Sequence, residues 1–116
     1  MRITRIYTGK DGESHFEDIE LELEDRGRIG RISQQWNATG VLFRETDGAY
    51  ELDFHTAPRR QLVINLDGAV ELETGDGSVR RLEAGSILLA EDTTGRGHRS
   101  RAIDAKPRRS IFVPLD

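Results

Sequence analysis

The stretch DFHTAPRRQLVINLDG, residues 53–68, contains several side chains that could do chemistry. It holds an imidazole at His55, two arginines after a proline, and an amide at Gln61 ahead of an apolar run. An imidazole can bind a divalent metal or transfer a proton near neutral pH. The fork of donors on a guanidinium matches carboxylates and phosphates. Arg59 or Arg60 is therefore a candidate anion ligand, with a solvated or interface arginine as the alternative.

A second polar stretch, EDTTGRGH, ends at His98. It could place Asp92 beside His98 as an orienting or proton-accepting partner, with a plain mobile loop as the alternative. Asp53 lies two residues before His55 and would share its face within a strand, which makes it a further candidate base. Trp36, the only tryptophan, could stack on a ligand or simply pack in the core or an interface.

Turn and alternation signals indicate the elements that must position these residues. Asp-Gly pairs at 11–12, 47–48, 67–68 and 76–77 are typical of tight hairpin turns. Residues 19–24 alternate apolar and glutamate, which favours a strand, although Ser14-x-x-Glu17 allows one helical turn before it. Further strands are predicted at 30–35, 41–46, 50–55, 60–66, 69–73, 78–82, 86–90, 98–104 and 108–115. Short strands at this spacing indicate an antiparallel sandwich or barrel.

The strand containing Leu62, Val63 and Ile64 is apolar on both faces. It should therefore be covered on both sides, either by the N-terminal strands or by a second subunit.

Two glycine-anchored motifs in this order resemble those of the cupin family. In the first, His55 matches the first His of a His-x-His pair, Gln61 stands where a Glu is usual, and Gly68 follows at the family's spacing. Ala57 replaces the second His. In the second, Gly85, the strand SILLA and a polar loop lead to His98. The resemblance covers 41–102 and implies an all-β jelly-roll barrel (a double-stranded β-helix) spanning 1–116 as a single domain.

The resemblance also implies a candidate metal set of His55, Gln61 and His98. Three protein ligands can make a catalytic metal site, but an amide brings no charge and the replaced imidazole removes a strong donor. An inward Asp53 could restore a carboxylate. The alternative is that the two histidines are hydrogen-bonded, pocket-lining side chains. A divalent metal is therefore a possible but unassigned cofactor.

Composition narrows the classes of partner. The 116 residues carry a net charge of −4, and the basic residues form no run, which argues against nucleic-acid binding. Cysteine is absent, and no apolar stretch could span a bilayer or act as a leader. These features predict a soluble cytoplasmic protein with no membrane partner. Small size, few aromatic residues and the doubly apolar strand favour a homodimer.

Three functions remain open at this stage. The first is a cupin that binds a small polar or anionic organic molecule in its barrel, as a sensor or carrier. The second is an enzyme on such a molecule, either through an acid–base pair or as a metal-dependent lyase, isomerase or dioxygenase. The third, an interaction module with a vestigial barrel, has the least support, because no exposed apolar stretch or tail accompanies it.

Overall fold

Strands make up the regular structure of the chain. The computed structural model describes all 116 residues, Met1–Asp116. A short 3-10 turn at Gly27–Ile29 is the only helical element, and it is far too short and polar to cross a membrane. The strands are β1 Arg2–Thr8, β2 Ser14–Glu20, β3 Glu24–Asp25, β4 Arg31–Ile32, β5 Leu42–Thr46, β6 Glu51–His55, β7 Gln61–Asp67, β8 Val70–Glu73, β9 Val79–Leu82, β10 Ile87–Glu91, β11 His98–Ala102 and β12 Arg108–Pro114.

The strands form two main sheets. A six-stranded sheet has the order β2-β1-β10-β7-β12-β5, and a four-stranded sheet has the order β6-β11-β8-β9. Every neighbouring pair is antiparallel except β1 and β10, which run parallel. The short strands β3 and β4 pair only with each other. The prediction of an all-β chain is confirmed.

Two apolar clusters lie on opposite faces of the larger sheet. The inner cluster joins the two sheets and comprises Ile6, Ala57, Val70, Leu72, Leu82, Leu88 and Ala90. The outer cluster contains Ile3, Leu89 and Leu115, with Leu62 packed against it. Val63 packs against the inner cluster instead. Leu62 and Val63 thus pack on opposite faces of the sheet, and both remain half-buried. Strand β1 lies in the same sheet as β7, so it contributes Ile3 beside Leu62 on the outer face and does not cover that face.

The prediction that the Asp-Gly pairs mark hairpin turns is confirmed for two of the four, because the pairs at 47–48 and 67–68 lie in or beside connections between strands of different sheets. Asp11-Gly12 joins β1 to β2, and Asp76-Gly77 joins β8 to β9. Gly12, Gly68 and Gly77 have positive φ angles, which a side chain rarely adopts.

The N-terminal third departs from the predictions. Strand β1 was not predicted, and the strand expected over 19–24 instead covers Ser14–Glu20. No helical turn forms at Ser14, because this residue pairs in the β1–β2 hairpin and its hydroxyl is used inside the protein. The strand expected over 30–35 is reduced to Arg31–Ile32, which has only β3 as a partner.

Candidate functional site

A cavity of about 370 Å3 lies between the two sheets. Its volume falls within the range of small-molecule sites, roughly 300–1,000 Å3. The exposed members of its lining mark the mouth: they are Leu42 and Phe43 on β5, Leu52 on β6, and Pro58 and Arg59 after β6. The mouth forms because β5 and β6 are edge strands of different sheets and do not pair with each other.

Two imidazoles stand side by side in the cavity wall. His55 on β6 pairs directly with His98 on β11, and the ring centroids are 4.7 Å apart. Both residues line the cavity together with Gln61. The Nδ1 atom of His55 lies 2.7 Å from the carbonyl oxygen of Asp53. A carbonyl can only accept, so Nδ1 carries the hydrogen and Nε2 keeps a free lone pair in the neutral ring.

His98 is held by a buried carboxylate, as the sequence predicted for Asp92. The Oδ2 atom of Asp92 lies 2.5 Å from Nδ1 of His98, and Asp92 is fully buried. The hydroxyl of Ser14 donates to the same oxygen at 2.7 Å, while Oδ1 has no partner. A carboxylate at Nδ1 fixes the imidazole so that Nε2 remains available at the cavity. The pair is arranged for acid–base chemistry.

A glycine brings the polar loop back to the cavity wall. Gly97 has a φ of 77° and precedes His98 directly. A Cβ atom there would lie 2.0 Å from the carbonyl oxygen of His55. No other residue type could let the loop pass so close to β6. Gly97 thus lets the loop bring His98 opposite His55.

Asp53 points away from the cavity, so the prediction that it shares a face with His55 is wrong. Between His98 and Ser100 the β6–β11 register shifts by one residue, which sets Asp53 and Phe54 opposite Arg99 alone. Such a bulge reverses the alternation, and Leu52 rather than Asp53 lines the cavity with His55. The Asp53 carboxylate accepts from Arg99 Nε at 2.9 Å outside, and this hydrogen bond lowers the pKa of Asp53.

Trp36 also lies outside the cavity lining. Its ring is 5.9 Å from the guanidinium carbon of Arg60, and it borders a shallow groove formed with residues 21–35. It therefore cannot stack on a ligand held between the sheets. Arg59 is at the cavity mouth, as predicted, but it is exposed.

The arginines of the chain fall into two groups. Ten of the fifteen form an ion pair with a carboxylate. Of the remaining five, three line the cavity: Arg44, Arg59 and Arg108. No aspartate or glutamate lines the cavity. The cavity is therefore a positive interior in a chain of net charge −4.

Arg108 is the most deeply placed of the three. It is 6% exposed, and its Nε atom is buried with no acceptor. Burial lowers the pKa of Arg108; the nearby Tyr50 opposes this effect and the like charge of Arg44 adds to it. A guanidinium nevertheless stays protonated in proteins, so an unpaired charge is held in the wall.

Arg44 lies beside Arg108 on the inner face of the sheet. The register pairs Arg108 with Thr46 and Ser110 with Arg44, so the two arginines are diagonal neighbours. The guanidinium carbon of Arg44 lies 5.3 Å from the ring centroid of Tyr50, and that of Arg108 lies 5.6 Å from it. The prediction from sequence considered only Arg59 and Arg60, and Arg60 pairs with Glu91 instead. The missed signal was Arg108-Arg109 at the start of a strand, because adjacent strand residues face opposite ways and one of the two had to face inward.

The lining does not fit a resident divalent metal. No group of three or more His, Cys, Asp or Glu side chains is placed to hold an ion. His55 and His98 offer two imidazole nitrogens, and Gln61 offers a buried Oε1 atom without a partner. Ala57 lines the cavity where a third imidazole would be needed. Two imidazoles and a neutral amide are a weak set for a divalent cation.

Comparisons with known proteins show the fold and not the activity. No family model and no curated protein matches the chain. The structure is similar to that of a protein of unknown function, SPY1581, from Streptococcus pyogenes (TM-score 0.52, 19% identity, 74% of this chain and 69% of that one). It is also similar to protein NMB1881 from Neisseria meningitidis (TM-score 0.51, 14% identity, 72% and 84%).

A third similar structure matches along almost the whole length. It is a "putative ethanolamine utilization protein Q" from Salmonella typhimurium (TM-score 0.51, 13% identity, 99% of this chain and 95% of that one). At such low identity the likeness concerns the arrangement of strands alone.

Proposed function

We propose that the chain is a small cupin-like jelly roll that binds a small polar or anionic organic molecule between its sheets. The observation that supports this most is a cavity whose polar atoms lack partners in the protein. Gln61 Oε1 and Asn65 Oδ1 are both buried without a hydrogen bond, and both residues line the cavity. Leaving such an atom unpaired costs about 1–3 kcal/mol. A ligand that supplies donors to them is therefore favoured.

A second candidate function is proton transfer on the bound molecule. The Asp92–His98 pair favours it, because a fixed imidazole with its Nε2 atom at the cavity can accept a proton from a bound ligand. When Nε2 takes the proton, the electron pair of the broken bond to hydrogen stays on the ligand. Isomerase and lyase reactions begin in this way, so they suit the pair. The metal-dependent alternative has less support, because the lining lacks a third strong ligand.

Ligand binding can be tested with a variant that blocks the mouth. A library of small metabolites is screened by thermal unfolding against the wild type, Leu52→Trp at the mouth, and Val79→Trp as the control. Leu52 and Val79 are 42% and 50% exposed, but only Leu52 lines the cavity. A ligand at a hundred times its Kd should stabilise the wild type by about 2.7 kcal/mol, roughly 10–20 °C for a domain of this size.

The same stabilisation is expected for Val79→Trp, and little for Leu52→Trp. The proposal would be contradicted if Leu52→Trp binds the ligand as well as the wild type does. It would also be contradicted if no ligand is found in the library and none appears in native mass spectra of the purified protein. Incubation of each hit with the wild type and with His98→Gln then tests the second candidate. If the wild type converts a hit and His98→Gln binds that hit without converting it, proton transfer is supported. If every hit is recovered unchanged, the chain binds the molecule without reacting with it.

A further inference from the structure

We propose that Arg108 and Arg44 form an anion subsite inside the cavity that binds the carboxylate or phosphate group of a small organic molecule. This proposal rests on the proposed function of the cavity and names the chemical class of its ligand. Four observations support it. The buried guanidinium of Arg108 is unpaired, no acidic side chain lines the cavity, Arg44 lies beside Arg108, and both arginines line the same cavity as His98.

The charge of Arg108 has no counter-ion in the protein. Its side chain makes no ion pair, and its buried Nε atom has no acceptor. A buried charge is costly unless a partner compensates it. The neighbouring residue Arg109 shows the usual solution, because its Nε atom lies 2.7 Å from Asp67 on the outer side of the same strand. The inward member of the pair lacks such a carboxylate, so its counter-ion must come from outside the chain.

Water alone would leave this charge uncompensated. Water can satisfy the Nε–H donor, but it carries no charge. The Tyr50 ring, whose centroid is 5.6 Å from the guanidinium carbon, offers only a weak attraction at that distance. Arg44 adds a second positive charge to the same wall and also lacks a carboxylate partner. Two like charges brought together favour an anion between them.

The donors have the geometry that oxyanions need. The Nε–H and one Nη–H of a guanidinium form an edge that matches two oxygens of a carboxylate or phosphate. The Arg44 guanidinium lies over two rings, 5.3 Å from the centroid of Tyr50 and 5.4 Å from that of Phe112. These contacts hold its fork in place. The Tyr50 hydroxyl, 2.6 Å from the Ser100 hydroxyl, provides a further polar group at the subsite.

The subsite lies one step along the wall from the imidazoles. Ser100 follows His98 by two residues on β11, and both line the cavity. Two residues along a strand span about 7 Å. A molecule whose oxyanion binds at the subsite would therefore present its other end to His55 and His98 if it is a few bonds long. The ligand class is thus a short organic acid or phosphate ester with a polar group at the far end.

The test uses acetate and inorganic phosphate as probes on the full chain. Thermal unfolding and calorimetry are followed at constant ionic strength, with chloride as the reference salt. We expect saturable binding of at least one probe by the wild type. Arg108→Gln and Arg44→Gln should each weaken it about ten- to hundredfold, the loss expected for a hydrogen bond to a charged group. Binding of acetate alone indicates a carboxylate, and binding of phosphate alone indicates a phosphate ester.

Arg109→Gln is the matched control, since it removes the same charge from the outer side of the same strand and should leave probe binding unchanged. Arg108→Gln should fold at least as well as the wild type without anions, because it removes an unpaired buried charge; if it does not fold, Arg44→Gln on the edge strand decides. Absence of saturable binding, or an equal loss in Arg109→Gln, overturns the subsite. Neutral library ligands that bind without either probe would overturn the subsite and leave the proposed function standing. If the probes bind through Arg108 but no organic ligand is found, the subsite stands and the proposed function is overturned.

Discussion

Each imidazole of the cavity is held through its Nδ1 atom, but by acceptors of different strength. His98 donates to the Asp92 carboxylate, and His55 to the Asp53 backbone carbonyl. A carboxylate holds the orientation and the Nδ1–H tautomer of its imidazole more firmly than a carbonyl does, because the hydrogen bond to it is charge-assisted. His98 is therefore the better candidate base, and His55 is the better candidate for orienting a ligand.

Ala57→His should create a metal site from this pair. The new imidazole would enter the cavity near His55 and Gln61, where Ala57 is now buried. A third imidazole gives the number of nitrogen ligands that holds zinc, nickel or cobalt. We expect the affinity for these metals, measured by calorimetry, to rise by at least tenfold over that of the wild type, since a further strong ligand is added.

The double variant Ala57→His with His98→Ala provides the control. It keeps the new imidazole and removes one of the two present ones, so the gain in affinity should disappear. If the single variant folds and binds these metals no better than the wild type, the three positions do not converge on one point.

Strands and turns decide which residues of a motif reach the cavity. The alternation of apolar and polar residues and the Asp-Gly pairs predicted most strands of residues 41–115 within a few residues. The two histidines were placed correctly because direct pairing of β6 with β11 sets them opposite each other. The bulge at Arg99 could not be predicted, since it arises from how two distant strands pair, and it sent Asp53 outward. Ser14 was misread for the same reason, because its partner Asp92 lies on another element.

The β8–β9 hairpin should contribute stability that depends on pH. Asp76 in its turn accepts from the Thr74 hydroxyl at 2.7 Å and from the Ser78 amide at 2.9 Å. These bonds lower the pKa of Asp76 from 3.8 to about 2. Because the folded-state pKa is depressed, the contribution is complete above about pH 4 and is lost as the pH falls towards 2.

Asp76→Asn should therefore unfold at a lower temperature than the wild type at pH 7, and the difference should shrink between about pH 4 and pH 2. Thermal unfolding at a series of pH values measures this. Thr74→Val removes the hydroxyl, which is the stronger of the two donors to Asp76, and should therefore reduce the pH dependence of stability in part. A difference that stays constant down to pH 2 would mean that the carboxylate charge does not stabilise the turn.

The whole molecule leaves part of one apolar face exposed. On the outer side of the larger sheet the register sets Phe43 beside Ile111, Ile111 beside Ile64, and Ile64 beside Ile87. Phe43 is 79% exposed at the end of this row. The edge strand β5, which carries Phe43, also has one side free of hydrogen bonds. A second copy of the chain would cover both features.

Sedimentation at micromolar concentration should accordingly show a dimer, as small size and limited core also favour. Phe43→Asp should shift the equilibrium to monomer, with an increase of at least tenfold in the dissociation constant. Val79→Asp places the same charge at an exposed position on the other sheet and should leave the dimer intact. A wild type that sediments only as a monomer would contradict this prediction.

The parallel pairing of β1 with β10 has a consequence for the order in which the protein is completed during synthesis. Arg5 and its partner Glu91 are 86 residues apart in the chain, and Ser14 and Asp92 are 78 apart. At 5–20 residues per second the residues of the first hairpin are made about 4–17 s before their partners. Contacts this distant in sequence form late, because their loop must close first. Asp92 therefore gains the hydroxyl that supports it only in a late stage of folding, and Arg108, which follows His98 in the chain, is the last of the cavity arginines to be made.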